Sequence, residues 1–123
     1  MSYVDRGIEV AGKLASTSDC PNFKMGAALM RANRIVATGR NWFKKSHPQS
    51  QTIWNGIHAE FDCLNREDYD KTRRGVLFVV RINNSGNFTM ARPCDMCLTL
   101  IRKYGIRVVY YTNFDGNVVR EKM

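Results

Sequence analysis

No apolar run in this chain of 123 residues comes near the roughly 20 consecutive residues that a membrane-spanning helix requires, so no transmembrane segment and no membrane partner are expected. The stretch from Met1 to Ala15 mixes acids and bases into its apolar pattern and does not read as a signal peptide. Acidic residues are scarce: 11 Asp and Glu face 19 Lys and Arg, a net charge of +8. A small basic domain expects an anionic partner, whether one phosphate, a polynucleotide or acidic neighbours, and charge alone does not separate these. Cysteine is sparse as well, with four residues in all, too few for a disulfide framework in a chain long enough to bury its own core. No repeat, low-complexity segment or compositional break appears, and residues 1–123 read as one domain.

What is present centres on two short stretches. Ile57-His58-Ala59-Glu60 places a carboxylate two residues after a histidine. Pro93-Cys94-Asp95-Met96-Cys97, beginning 35 residues after that histidine, supplies two thiols three positions apart. Cysteines at i and i+3 share one helix face, so both sulfurs can reach one ion. His58, Cys94 and Cys97 together make three ligands for a single zinc and leave its fourth tetrahedral position open for water, the mark of a catalytic site. Glu60 is the natural general base for that water. Cys20 and Cys63 remain as free thiols, a pattern that suits a reducing cytoplasm.

The pair of motifs, H-x-E followed by P-C-x-x-C, resembles the zinc-dependent cytidine/deoxycytidylate deaminase family, in particular its small phage-type members. The resemblance extends further. Phe23-Lys24-Met25-Gly26-Ala27-Ala28-Leu29 is similar to the family's first strand, and Gly39-Arg40-Asn41 to the G-x-N ending its second. It implies that Asn41 contacts the substrate sugar and that Phe23 and Ala59 also line the substrate. Where nucleoside enzymes of the family carry a ribose-binding glutamate, this chain has Phe43, followed by Lys44 and Lys45. An aromatic followed by two cations suits a base or sugar next to a phosphate.

The pattern elsewhere supports an order α-β-β-α-β-α-β-β. Val4, Ile8, Ala11, Leu14 and Ala15 recur at helical spacing over 2–15. Strands are expected over 23–31 and 34–39 around a turn at Asn33. A polar loop from Arg40 to Gln51 carries Trp42 and His47; each reads equally as part of base or anion handling and as core or loop. A second helix is expected over 52–65 and a charged connection over 66–74, in which Lys71, Arg73 and Arg74 read mainly as a solvated face. Val76 to Val80 reads as a strand buried on both faces. A third helix is expected over 94–104, ended by Gly105, and the last strands at 106–112 and 118–119 flank the Asp115-Gly116 turn. The expected fold is a cytidine-deaminase-like three-layer α/β/α domain around a five-stranded mixed sheet with its last two strands antiparallel. That ending resembles the small cytidine deaminases, whereas His58 and Phe43 lean away from a free-nucleoside enzyme.

Three functions compete at this stage. The first is hydrolytic deamination of a cytosine nucleotide, dCMP foremost, with one zinc per chain and Glu60 as catalytic proton shuttle. The second is deamination of cytosine in single-stranded DNA or of a base in tRNA. The third is a non-catalytic, zinc-stabilised nucleic-acid-binding module, against which the carboxylate at Glu60 argues. The resemblance also implies a homo-oligomer.

Overall fold

The computed structural model describes residues 2–42, 58–65 and 67–123. The N-terminal helix α1 spans Tyr3–Ser16. Ser2 caps it, its Oγ accepting the Asp5 N–H at 3.1 Å, and Asp5 complements the positive end of the helix dipole. Gly7, Ile8, Ala11 and Ala15 form its buried stripe, spaced as the helix period demands.

Strands β1 (Lys24–Arg31) and β2 (Arg34–Arg40) form an antiparallel hairpin. Its two connecting residues, Ala32 and Asn33, have φ of 52° and 64°, the left-handed pair that a two-residue hairpin turn requires. Helix α2 (Ala59–Leu64) follows, then the single turn α3 (Tyr69–Thr72). Next come β3 (Val76–Ile82), β4 (Phe88–Thr89), α4 (Asp95–Lys103), β5 (Val108–Thr112) and β6 (Val118–Lys122). The sheet order is β2-β1-β3-β5-β6, with β4 pairing the end of β3. Among the described residues only β3 and β5 pair in parallel; β5 and β6 are antiparallel.

Two cores follow from strand alternation. Even-numbered residues such as Ala28, Phe78 and Val80 pack under α1 with Ile8 and Ala11. Odd-numbered residues such as Ala27, Leu77 and Val79 pack with Ala59, Leu64 and Ile101 of α2 and α4. This is the expected three-layer arrangement. Among the described residues no helix is long and apolar enough to cross a membrane.

Two local differences have physical causes. The sheet has a sixth strand, because the turn at Asn83–Asn87 folds Phe88 and Thr89 back onto Ile82 and Arg81. The charged connection contains α3, anchored by the buried Thr72, whose Oγ1 donates to the Tyr104 carbonyl at 2.7 Å. The second helix is described from Ala59 onward, and the part of it expected over 52–57 lies outside the described residues.

Layer spacing leaves no room at Gly26. A Cβ there would stand 2.0 Å from the Ala11 carbonyl oxygen, with backbone and not a flexible side chain on the other side. Gly26→Ala is therefore expected to destabilise the fold by about 3 kcal/mol or more, the upper end for overpacking, read as a lower denaturation midpoint in urea.

Candidate metal centre

All four strand ends that carry Lys24, Arg40, Ile82 and Thr112 lie at one end of the sheet. Both α2 and α4 begin there. This is the carboxyl end of the parallel pair, where α/β folds place ligands. His58 occupies the N-cap position of α2 and Cys94 that of α4, with Cys97 one turn further in. Each helix starts at once: Asp62 N–H donates to the His58 carbonyl at 2.9 Å, and Leu98 N–H to the Cys94 carbonyl at 2.8 Å.

The two helix starts are held from several sides. A Cβ at Gly39 would stand 2.4 Å from the Cys63 nitrogen and 2.6 Å from the Ala59 carbonyl oxygen, so glycine lets α2 lie directly on β2. Asp62 Oδ2 accepts the Arg40 N–H at 3.0 Å across the same contact. On the α4 side, the Ala91 N–H donates to Thr112 at 2.8 Å. Arg92 grips Glu121 of β6 through two bonds of 3.0 and 3.1 Å.

The result is a compact donor set. His58 Nδ1 lies 3.3 Å from Cys97 Sγ and 3.9 Å from Cys94 Sγ. All three ligand atoms fall within 4.8 Å of one another. Ligands of a tetrahedral zinc with bonds of about 2.0–2.3 Å stand roughly 3.5 Å apart, so the set fits this ion. Glu60, two residues after His58, is 2% exposed.

Electrostatics give the same reading. Burial lowers the His58 pKa, which favours the neutral imidazole that binds metal. Burial pushes the Cys97 thiol well up, and the charges of Glu60 and Cys94 push it further. Burial likewise raises the Glu60 carboxyl, against smaller lowering contributions from its own backbone N–H and from Cys97. A buried thiol and a buried carboxyl that each resist ionisation need a cation beside them to become anionic together.

The substrate residues expected from sequence divide into three groups. Ala59 is fully buried under the first turn of α2. Asn41 is 7% exposed, and its carboxamide is largely used by the protein. Its Oδ1 accepts the Met25 N–H at 2.9 Å and the Ser18 hydroxyl at 2.6 Å, while its Nδ2 donates to the Phe23 carbonyl. Asn41 thus ties the entry to β1 in place. Phe23 is 48% exposed, with the Arg81 guanidinium carbon 3.8 Å from its ring centroid. Phe43, Lys44, Lys45 and His47 lie outside the described residues. Trp42 carries the Arg40 guanidinium at 4.2 Å. Sequence reasoning passed over Ser18 and Arg81; the only trace of Arg81 was a cation closing the apolar run of β3.

Residues 1–113 match the cytidine and deoxycytidylate deaminase zinc-binding region. The chain belongs to this deaminase family. Its zinc-binding region contains the His58, Cys94 and Cys97 cluster. Deoxycytidylate deaminase of Schizosaccharomyces pombe is 29% identical over an alignment covering 88% of this chain and 36% of that protein. The chain spans between about a third and about a half of the length of the curated relatives it matches. The crystal structure of dCMP deaminase from cyanophage S-TIM5 superposes with a TM-score of 0.67 at 25% identity, over 90% of this chain and 82% of the other. Cytidine deaminase from Burkholderia pseudomallei gives a TM-score of 0.71 at 24% identity, over 99% and 93%, and shares the fold.

Cys94→Ala and Cys97→Ala are each expected to abolish zinc retention, measured as metal per chain after gel filtration. Chelation of the wild-type protein should lower its thermal midpoint, because binding free energy at such a site is also folding free energy. Full zinc occupancy in the double variant would remove the assignment.

Proposed function

We propose that this chain is a hydrolytic deaminase of a cytosine nucleotide, with dCMP as substrate. The observation that carries the reading is the buried carboxylate of Glu60 beside a three-donor cluster that leaves one tetrahedral position free. A purely structural zinc site has four protein ligands and no use for such a carboxylate.

His58, Cys94 and Cys97 would hold one zinc, with the charge of two thiolates balancing that of the ion. When bound, the ion supplies a hydroxide near neutral pH by lowering the pKa of its water to about 7. Glu60 accepts the proton released. It delivers that proton to N3 of the cytosine, which makes C4 electrophilic. Addition of the hydroxide oxygen at C4 would leave a C4 hydroxyl, whose proton Glu60 would take and pass to the exocyclic amine, so that the C4 carbonyl forms as the C4–N bond breaks and ammonia leaves. Burial suits Glu60 to this exchange: a carboxyl with a raised pKa gives a proton as readily as it takes one.

The nucleotide preference rests on Phe43, Lys44 and Lys45 in the sequence. It is supported by the names of the Schizosaccharomyces pombe and cyanophage relatives. Among the described residues all four cysteines are free thiols. Burial raises the Cys63 thiol far above its ordinary range, so it is inert. This supports a reducing compartment such as the cytoplasm.

Glu60→Gln is expected to keep zinc and the fold while deamination of dCMP falls by at least about 10²–10⁴, the worth of acid–base help, measured by ammonia release. Loss of the metal in this variant would instead make Glu60 a ligand. Lys44→Ala with Lys45→Ala should raise KM for dCMP far more than it changes kcat. Activity on a single nucleotide should respond only weakly to salt. A steep fall with salt on single-stranded DNA would point to a polynucleotide substrate.

A further inference from the structure

Arg81 sits at the end of β3 on the face of the sheet that α2 and α4 cover. Strand alternation places it there with Leu77 and Val79, whose partners are Ala59, Leu64 and Ile101. In the sheet it stands opposite Met25 on one side and Thr89 on the other. Both neighbours belong to the end where the metal-ligand helices begin. A cation therefore occupies the same face and the same end as the donor cluster.

Its surroundings leave that cation unmatched. The ion pairs among the described residues join Lys13 to Glu9, Arg73 to Asp70 and Arg92 to Glu121, and none involves Arg81. Its buried Nε has no hydrogen-bond partner among the described residues. What Arg81 does have is the ring of Phe23, 3.8 Å from its guanidinium carbon. A guanidinium stacked on a ring uses its π face, and its in-plane N–H fork stays free for a bidentate acceptor.

The platform beneath it is rigid. Asn41 bonds both the Phe23 carbonyl and the Met25 N–H. Asn84, in the turn after β3, donates to Asn22 Oδ1 at 3.2 Å. The segment carrying Phe23 is thus tied to β2 and to the β3–β4 turn before any ligand arrives. A fixed ring, a guanidinium in no ion pair among the described residues and a buried N–H without an acceptor there together describe a receptor for a planar or tetrahedral oxyanion.

We propose that Arg81, held on Phe23, binds the phosphate of the nucleotide and sets the preference for a phosphorylated substrate over a nucleoside. This rests on the deaminase reading above and adds to Lys44 and Lys45 a cation with a bidentate geometry they lack. Arg81 touches the phosphate and not the reacting atoms, so its loss acts on binding.

The test compares wild type with Arg81→Gln and Arg81→Met, the latter keeping an unbranched stem against Phe23. With dCMP, KM should rise at least tenfold while kcat stays within about threefold. With deoxycytidine, kcat/KM should change by less than threefold. Calorimetric binding of dUMP should weaken at least tenfold in both variants, and binding of deoxyuridine should not. An unchanged KM for dCMP overturns the proposal. So does an equal loss on dCMP and deoxycytidine, which would make Arg81 structural. If the wild type deaminates no cytosine compound, the deaminase reading fails. The dUMP and deoxyuridine comparison then still decides whether Arg81 holds a phosphate.

Discussion

The proposed reaction requires Glu60 and Cys97 both to be anionic, and both are buried. That conflict governs the rest of the molecule. Two negative charges out of water are unfavourable unless a cation and oriented dipoles accompany them. A dication held by His58, Cys94 and Cys97 would meet this need, and both helices begin at this donor cluster. Arg92 does not relieve the charge, because it is spent on Glu121. The fold can be understood as the means of bringing two helix starts to one point without exposing it.

That convergence requires tight backbone contact and not just apolar packing. α2 lies on β2 where Gly39 removes the Cβ, and Asp62 bonds the Arg40 N–H across the junction. Cys63, Leu64 and Ala59 seal the inner side of the helix. On the other side of the sheet α1 lies directly on Gly26, and its own Gly7 sits against the Phe78 ring. The sheet is therefore clamped between helices that nearly touch its backbone. Such close packing limits the freedom of His58 and Cys94, and preorganised ligands lose little entropy on binding.

The rim of the site obeys a different logic. Asn41, Ser18 and Lys24 use their polar atoms to fasten one loop to the start of β1, with Lys24 Nζ donating to the Ser18 carbonyl at 2.7 Å. A buried amide whose oxygen accepts two bonds is costly to displace. Asn41 thereby holds the Ser18, Phe23 and Met25 segment together. Phe23 stands on this fastened loop, and Arg81 of the neighbouring β3 lays its guanidinium on the Phe23 ring.

The sequence by itself determined the chemistry of the centre and the layer order. The donor cluster of His58, Cys94 and Cys97 was legible because its motifs are short-range, H-x-E with a spacing of two and C-x-x-C with a spacing of three. The strands were legible from period-two or continuous apolar runs, and the hairpins from Asn33 and from Asp115-Gly116. Tertiary structure decided what depends on neighbours distant in sequence. The sixth strand exists only because the turn after Ile82 folds Phe88 back. Asn41, expected as a substrate contact from its tripeptide, bonds Phe23, Met25 and Ser18, which lie 16 to 23 residues away. Arg81 looked like the polar end of a strand. Its meeting with Phe23 required β1 and β3 to pair in one register, and pairing register is set by the whole sheet, not by either strand alone.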